Sequence, residues 1–312
     1  MREALFDVVG IGLSSVDYLG IVPYYPQADV KLQLLELSQQ GGGPVATALV
    51  TLARLGARTS YIGSVGDDAL GRFVIEEFRK EGVNTDYTVI QKGGSAILTF
   101  IVVEKDTGIR TIFWSKKGVD PLRLEKVDRD AVISARFLHV DEYEPEVAVA
   151  AAGWAKQSGI KVVLDAERVS PTTKKLVELA DFVIVPKDVA LQLTQKRDVE
   201  SAGEAIYSDH GGVVVVTAGN EGAFYVSESH KCFQSAFHVS VVDTTGAGDV
   251  FHGAFIYGLL QGWNGGQTTE FACAVAALKC KKLGGRAGIP TLRETINFLS
   301  EQSGGVWKDR VD

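Results

Sequence analysis

Basic residues are in the minority here: 32 Lys and Arg against 39 Asp and Glu leave a net charge of −7 over 312 residues. Duplex nucleic acid needs an electropositive footprint, so nucleic acid is not expected as a partner. Cysteine is scarce. Cys232, Cys273 and Cys280 make an odd count, show no C-x-x-C spacing and have no histidine at zinc-finger spacing. This argues against a disulfide framework or a structural zinc and leaves reduced thiols. Cys273 and Cys280 fall two helical turns apart on one face, where packing is the plain use for them. No apolar run approaches the roughly 20 residues that span a bilayer, and the opening MREALFDVVGIGL carries no cleavage pattern, so the expectation is a cytoplasmic chain without a membrane partner. Also missing is any G-x-x-x-x-G-K-[ST], which removes the P-loop at motif level. Gly10-Ile11-Gly12 lacks the third glycine of a dinucleotide fingerprint, although Asp29 lies near the spacing of a ribose-binding acid.

Hydrophobic residues form 46% of the chain and charged ones 23%, which suits a globular protein with a sizeable core. Short β-branched runs recur at 7–13, 59–66, 136–140, 161–166, 181–186 and 212–219. Amphipathic stretches at 45–55, 68–81, 146–158, 199–209, 247–262, 268–282 and 291–301 alternate with them. Near-continuous apolar strands between helices predict an α/β, doubly wound, mostly parallel sheet. Two segments break the rhythm: KLQLLELSQQ (31–40) and a pair of β-rich runs, 95–105 and 108–115, joined across Asp106-Thr107-Gly108. The second reads as a hairpin. With no linker or internal repeat present, these strands predict a small lid, from about 13–40 and 93–118, on a single domain spanning 1–312.

The densest local signal is DTTGAGDVFHGAF, Asp243 to Phe255. It reads as strand up to Asp243 and as helix from Val250, which puts Gly246, Ala247 and Gly248 at a helix N-terminus. Unpaired amides and the positive end of the macrodipole attract an anion there, and small residues let it approach. Asp249 in the first turn complements the dipole in any case. Beside an amide-lined anion cradle, however, a carboxylate also supplies what phosphoryl transfer to an alcohol needs: a proton acceptor and donors for charge on the moving group. His252, one turn further on, reads as a packing residue.

DTTGAGDVFHGAF resembles the C-terminal signature of the ribokinase-like (PfkB) carbohydrate kinases, and GGGPVATALVTLARLG (41–56) with SVGDDALG (64–71) resembles their N-terminal one. The likeness runs on through VVVTAGNEGAFY (214–225) and FACAVAALKCKKLGGRAGIP (271–290), in a pattern similar to the sulfofructose kinase branch. The resemblance implies a sugar kinase using ATP and Mg2+. It makes Asp249 the catalytic base and Gly246, Ala247 and Gly248 the anion hole. Asp17, Gly42 and Gly43 match sugar-gripping positions, and Thr217, Gly219 and Gly222 match the nucleotide loop, with Cys273 lining the adenine pocket. Asp243 and Thr245 match a loop that in some members holds K+ with later carbonyls near Cys280 and Gly285. Lids in this family often pair between two chains, which implies a homodimer.

Three departures bear on substrate and metal. Lys187-Asp188-Val189-Ala190 stands where many members carry Asn-x-x-Glu, leaving Lys187 as a phosphate contact or a solvated lysine. Thr47 replaces an asparagine that reads the sugar. Trp114 and Glu142 stand where the sulfofructose branch has an asparagine and an arginine facing the anionic group. Glu142 lies in HVDEYEPE (139–146), with Lys116-Lys117 as the only obvious positive charge nearby; pointing inward, it would favour a neutral or cationic sugar. The reading is therefore an ATP-dependent kinase acting on a primary hydroxyl of a sugar. A nucleoside, phosphosugar or sulfosugar kinase and a catalytically weak sugar-binding sensor are its rivals, with an NAD-dependent oxidoreductase behind them.

Overall fold

The computed structural model describes residues 4–302 and Trp307. The first half runs β1 (Phe6–Ile11), β2 (Ser15–Val22), β3 (Glu36–Gly42), α1 (Pro44–Arg54), β4 (Thr59–Ile62), β5 (Ser64–Gly66), α2 (Ala69–Lys80), β6 (Val89–Gln91), β7 (Ile97–Glu104) and β8 (Arg110–Ser115). It continues with α3 (Arg129–Val132), β9 (Ala135–Val140), α4 (Pro145–Gln157), β10 (Lys161–Asp165), α5 (Pro171–Leu179), β11 (Phe182–Pro186), α6 (Lys187–Thr194), α7 (Val199–His210) and β12 (Val213–Thr217). The last elements are β13 (Gly222–Val226), β14 (Lys231–Ser235), α8 (Ala247–Leu260), α9 (Gly265–Lys279) and α10 (Leu292–Gln302).

Eight strands form the main sheet in the order β14-β13-β12-β11-β10-β9-β1-β4. From β4 to β12 every pairing is parallel, and β13 and β14 add an antiparallel edge. Such strands are buried on both faces. Val163, Ile184 and Val215 pack under α1, α8 and α9, while Val162, Leu164 and Val183 pack on the other face with α4, α5 and α7. Apart from the strand expected up to Asp243, the expected strands and helices are present. Missing from the sequence reading were α3, α5, α6, β6 and the β13–β14 edge, and the segment read as strand up to Asp243 is loop. Among the described residues no helix is long and apolar enough to cross a membrane.

A second sheet, in the order β3-β2-β7-β8, stands off the first. Its register puts Gln40, Asp17, Thr99 and Trp114 in one row and Gln39, Tyr18, Phe100 and Phe113 in the next. Because side chains alternate along a strand, the two rows face opposite ways. Asp17, Thr99 and Arg110 share the face on which Leu19, Ile101 and Leu283 cluster, whereas Phe100, Phe113 and Leu37 lie on the outer face, exposed to solvent.

Candidate active site

Strand β1 has β4 on one side and β9 on the other, and such a reversal opens a crevice beyond the carboxyl ends of the strands. Asp141 closes the floor of that crevice. Its carboxylate accepts the amide of Leu13 at 2.9 Å and that of Tyr143 at 2.9 Å, tying the ends of β1 and β9 together. Burial pushes its carboxyl up to about 7.

Asp17 and the glycines after β3 form one wall. Ser15 Oγ donates to Asp17 Oδ1 at 2.7 Å, Thr99 adds a second bond, and burial holds the carboxyl above its usual range. A side chain at Gly42 would land on this carboxylate, so glycine is required there. Gly43, at φ 96°, has a left-handed backbone and faces the Leu13 carbonyl. Thr47 is fully buried and turns its hydroxyl to Arg286 Nε at 3.4 Å, while Arg286 Nη2 donates to Gly42 O at 3.0 Å. The structure thus ties Thr47 to an arginine. Trp114 projects from the edge strand, 61% exposed, in the same row as Asp17.

Glu142 does point inward, being 5% exposed, but it is not a free charge: Arg168 Nε donates to its Oε1 at 3.0 Å, and the same guanidinium lies 4.3 Å from the Tyr143 ring centre. Glu142 therefore does not face the cleft as an uncompensated negative charge, because Arg168 pairs with it. Lys116 and Lys117 stay exposed, so the cation that matters at this acid is Arg168.

Helix α8 begins without a side-chain cap, unlike α2, α7 and α9, which are closed by Asp68, Asp198 and Asn264. Its Gly246 N-cap is left-handed at φ 73° and packs on Gly285, leaving no room for a side chain. The amides of Ala247 and Val250 are used within the turn, to Thr244 O at 3.2 Å and Gly246 O at 2.9 Å. Those of Gly248 and Asp249 have no backbone partner among the described residues. These are the donors an anion would meet.

Asp249 keeps an open edge, yet burial pushes its carboxyl up to about 6; Arg110 pulls it down, Asp17 raises it, and Lys279 and Arg286 lower it. Below it lies a polar column. Asp165, Glu167 and Asp249 hold their carboxylate oxygens within 4.8 Å of one another, and Glu167 Oε2 has no partner. Burial, with the charge of Asp249 next, pushes Glu167 up to about 8. His252 is buried at the foot of this column: its Nε2 is 3.4 Å from Asp165 Oδ1 and its ring lies against His139.

Beyond the anion cradle is a cavity of about 280 Å³. Thr217, Gly219, Gly222, Cys273, Ala247 and Gly248 line it, joined by Asn220, Phe251, Ala276 and Ala277, which sequence reasoning did not single out. Burial pushes the Cys273 thiol up to about 12, the state of a packing residue. Lys187 is not part of this wall; it pairs with Glu221 at 2.5 Å. Asp243 and Thr245 are buried and bonded to each other, Thr245 Oγ1 donating to Asp243 Oδ1 at 2.7 Å. Missed altogether were Arg110, Arg168, Glu167, Asp141 and Lys279. Their only sequence signal is a charge at the edge of an apolar run.

The profile of the pfkB family carbohydrate kinases matches residues 6–292. The chain is 29% identical to the ribokinase of Haemophilus influenzae over 93% of its own length and 97% of the relative's. It is 27% identical to the 5-dehydro-2-deoxygluconokinase of Bacillus subtilis over 97% and 98%. Among solved structures, ribokinase from Thermotoga maritima superposes with a TM-score of 0.81 at 24% identity, covering 95% of this chain and 100% of that one. Ribokinase of Arabidopsis thaliana, complexed with ribose and ATP, gives 0.80 at 21%, covering 94% and 98%. With a doubly wound sheet, an uncapped glycine-rich helix start and a match across nearly its whole length, this chain belongs to the pfkB family of carbohydrate kinases, phosphotransferases whose acceptor is an alcohol.

Proposed function

We propose that the protein transfers the γ-phosphoryl group of ATP to a primary hydroxyl of a sugar, with Asp249 as the base. The observation that carries this reading is the position of the α8 start, its uncapped amides opening on the 280 Å³ cavity and Asp249 within the electrostatic reach of Asp17. The apolar cavity walls suit a flat heteroaromatic base, and Asn220 and Thr217 offer polar edges. Asp17 and the backbone at Gly42 suit hydroxyl groups.

In this mechanism Asp249 accepts the hydroxyl proton, the Gly248 and Asp249 amides offset charge on the transferred group, and Arg110 adds a cation from the lid. Mg2+ supplies neutralisation of phosphate charge when bound. Asp165 and Glu167, whose Oε2 lacks a partner, are the acids that would hold it in place of the missing Asn-x-x-Glu. The exposed Phe100, Phe113 and Leu37 on the outer lid face support a homodimer through the lid. Three free thiols support a cytoplasmic setting.

A phosphosugar or sulfosugar acceptor is the second reading, favoured by Arg168, whose side chain is half exposed beside Glu142. ADP release from Mg-ATP over neutral sugars, amino sugars, nucleosides, sugar phosphates and sulfofructose separates the two. A neutral sugar turned over fastest supports the first reading and an anionic one the second. Binding of a sugar with no turnover of any acceptor would leave a sensor.

A further inference from the structure

The loop before α8 carries a cation of its own. Lys279, the last residue of α9, is 0% exposed, and its Nζ donates to the main-chain oxygen of Asp243 at 2.9 Å. A buried ammonium persists only where partners repay its lost hydration, and a helix C-terminus favours positive charge. Burial pulls the Lys279 ammonium down, Asp243 and then Cys280 hold it up, and the smaller effects of Arg110 and Asp249 oppose each other.

Several of the oxygens that the family resemblance assigns to a monovalent ion already accept hydrogen bonds. Asp243 Oδ1 accepts from Thr245 N at 2.8 Å and Thr245 Oγ1 at 2.7 Å, and Asp243 Oδ2 accepts from Gly284 N at 2.7 Å. The Cys280 carbonyl accepts two amides, Val242 N at 2.8 Å and Asp243 N at 3.2 Å, which uses both of its lone pairs. A hard cation needs a shell of oxygens, and the Asp243 carboxylate and the Cys280 carbonyl have little acceptor capacity left for one.

We infer that the side chain of Lys279 serves as the built-in cation of the Asp243–Thr245 loop, so that the protein works without K+. The charge is placed to matter, because Lys279 acts on Asp249 to lower its pKa and the loop it pins leads straight into the Gly246 cap. The catalytic arm of the test rests on the kinase reading; the melting arm does not.

Melting temperature and ADP release are measured in KCl and in choline chloride at equal ionic strength, for the wild type and for Lys279→Ala. The wild type is expected to give the same melting temperature in both salts and rates within twofold. Lys279→Ala is expected to lose rate and stability and to recover part of both with K+ or ammonium but not choline. A wild type stabilised or activated several-fold by K+ overturns the inference, as does a folded Lys279→Ala that keeps full rate and ignores K+. Should Lys279→Ala not fold, the wild-type melting comparison decides alone; should no acceptor turn over, that comparison still decides.

Discussion

Arg110 Nη1 lies 3.0 Å from Thr244 Oγ1, joining strand β8 of the second sheet to the loop that starts α8 across 134 residues of sequence. The same guanidinium is the strongest charge holding down the pKa of Asp249. A residue of the second sheet thereby reaches the start of α8 and the proposed base together. Removing it should cost the charge-assisted contact, typically about 1.5–3 kcal/mol, or roughly 10- to 100-fold in kcat. The acid limb of the pH profile should also move up, because the carboxylate loses a stabilising cation. Steady-state kinetics of Arg110→Ala against pH check both, and an unshifted limb would show that Arg110 does not act on Asp249.

Asp249 is raised to about 6 by burial, so kcat/KM should fall as pH drops through about 6, where the base takes up a proton in the free enzyme. A profile flat down to pH 4.5 would contradict this assignment.

Stability should run the other way. Glu167 and Asp141, pushed up to about 8 and about 7, lie above their ordinary values of about 4. Between those limits the folded chain binds more protons than the unfolded one, so stability present at low pH is lost as pH rises through the folded values. His139, His252 and His210, held low by burial, oppose this below about pH 6.5, so the melting temperature without ligands should decline from pH 7 to pH 8.5. Glu167→Gln should flatten that decline, since the amide has no charge to bury.

The 280 Å³ cavity proposed for the nucleotide gives a separable handle. Ala276 lines it, and Asp17, Gly42 and Thr47 do not. Ala276→Phe should raise KM for ATP about tenfold or more by filling the space, with KM for the acceptor changed less than twofold. Two-substrate kinetics read the difference.

What was legible in the sequence is what is local. The glycine-rich turn and Asp249 sit within thirteen residues, and the strand alternation at 95–115 with Gly108 at φ 65° between the runs fixes a hairpin. The charges that tune the site were not legible, because their partners lie far off in sequence. Arg168 answers Glu142 from 26 residues away, and Lys279 answers Asp243 from 36. Lys279 also looks like an ordinary helix-end lysine until tertiary packing closes over it. The strand expected before Asp243 failed for a related reason: Val242 and Asp243 send their amides to the Cys280 carbonyl rather than to a neighbouring strand.

The most direct test is single-turnover phosphoryl transfer by Asp249→Asn, with ATP affinity measured in parallel, on whichever acceptor the wild type uses. The account predicts a rate lower by roughly 10²- to 10⁴-fold, the usual worth of a general base, with ATP affinity within a few-fold of wild type. Transfer at the wild-type rate would contradict it and move the base elsewhere, Glu167 first.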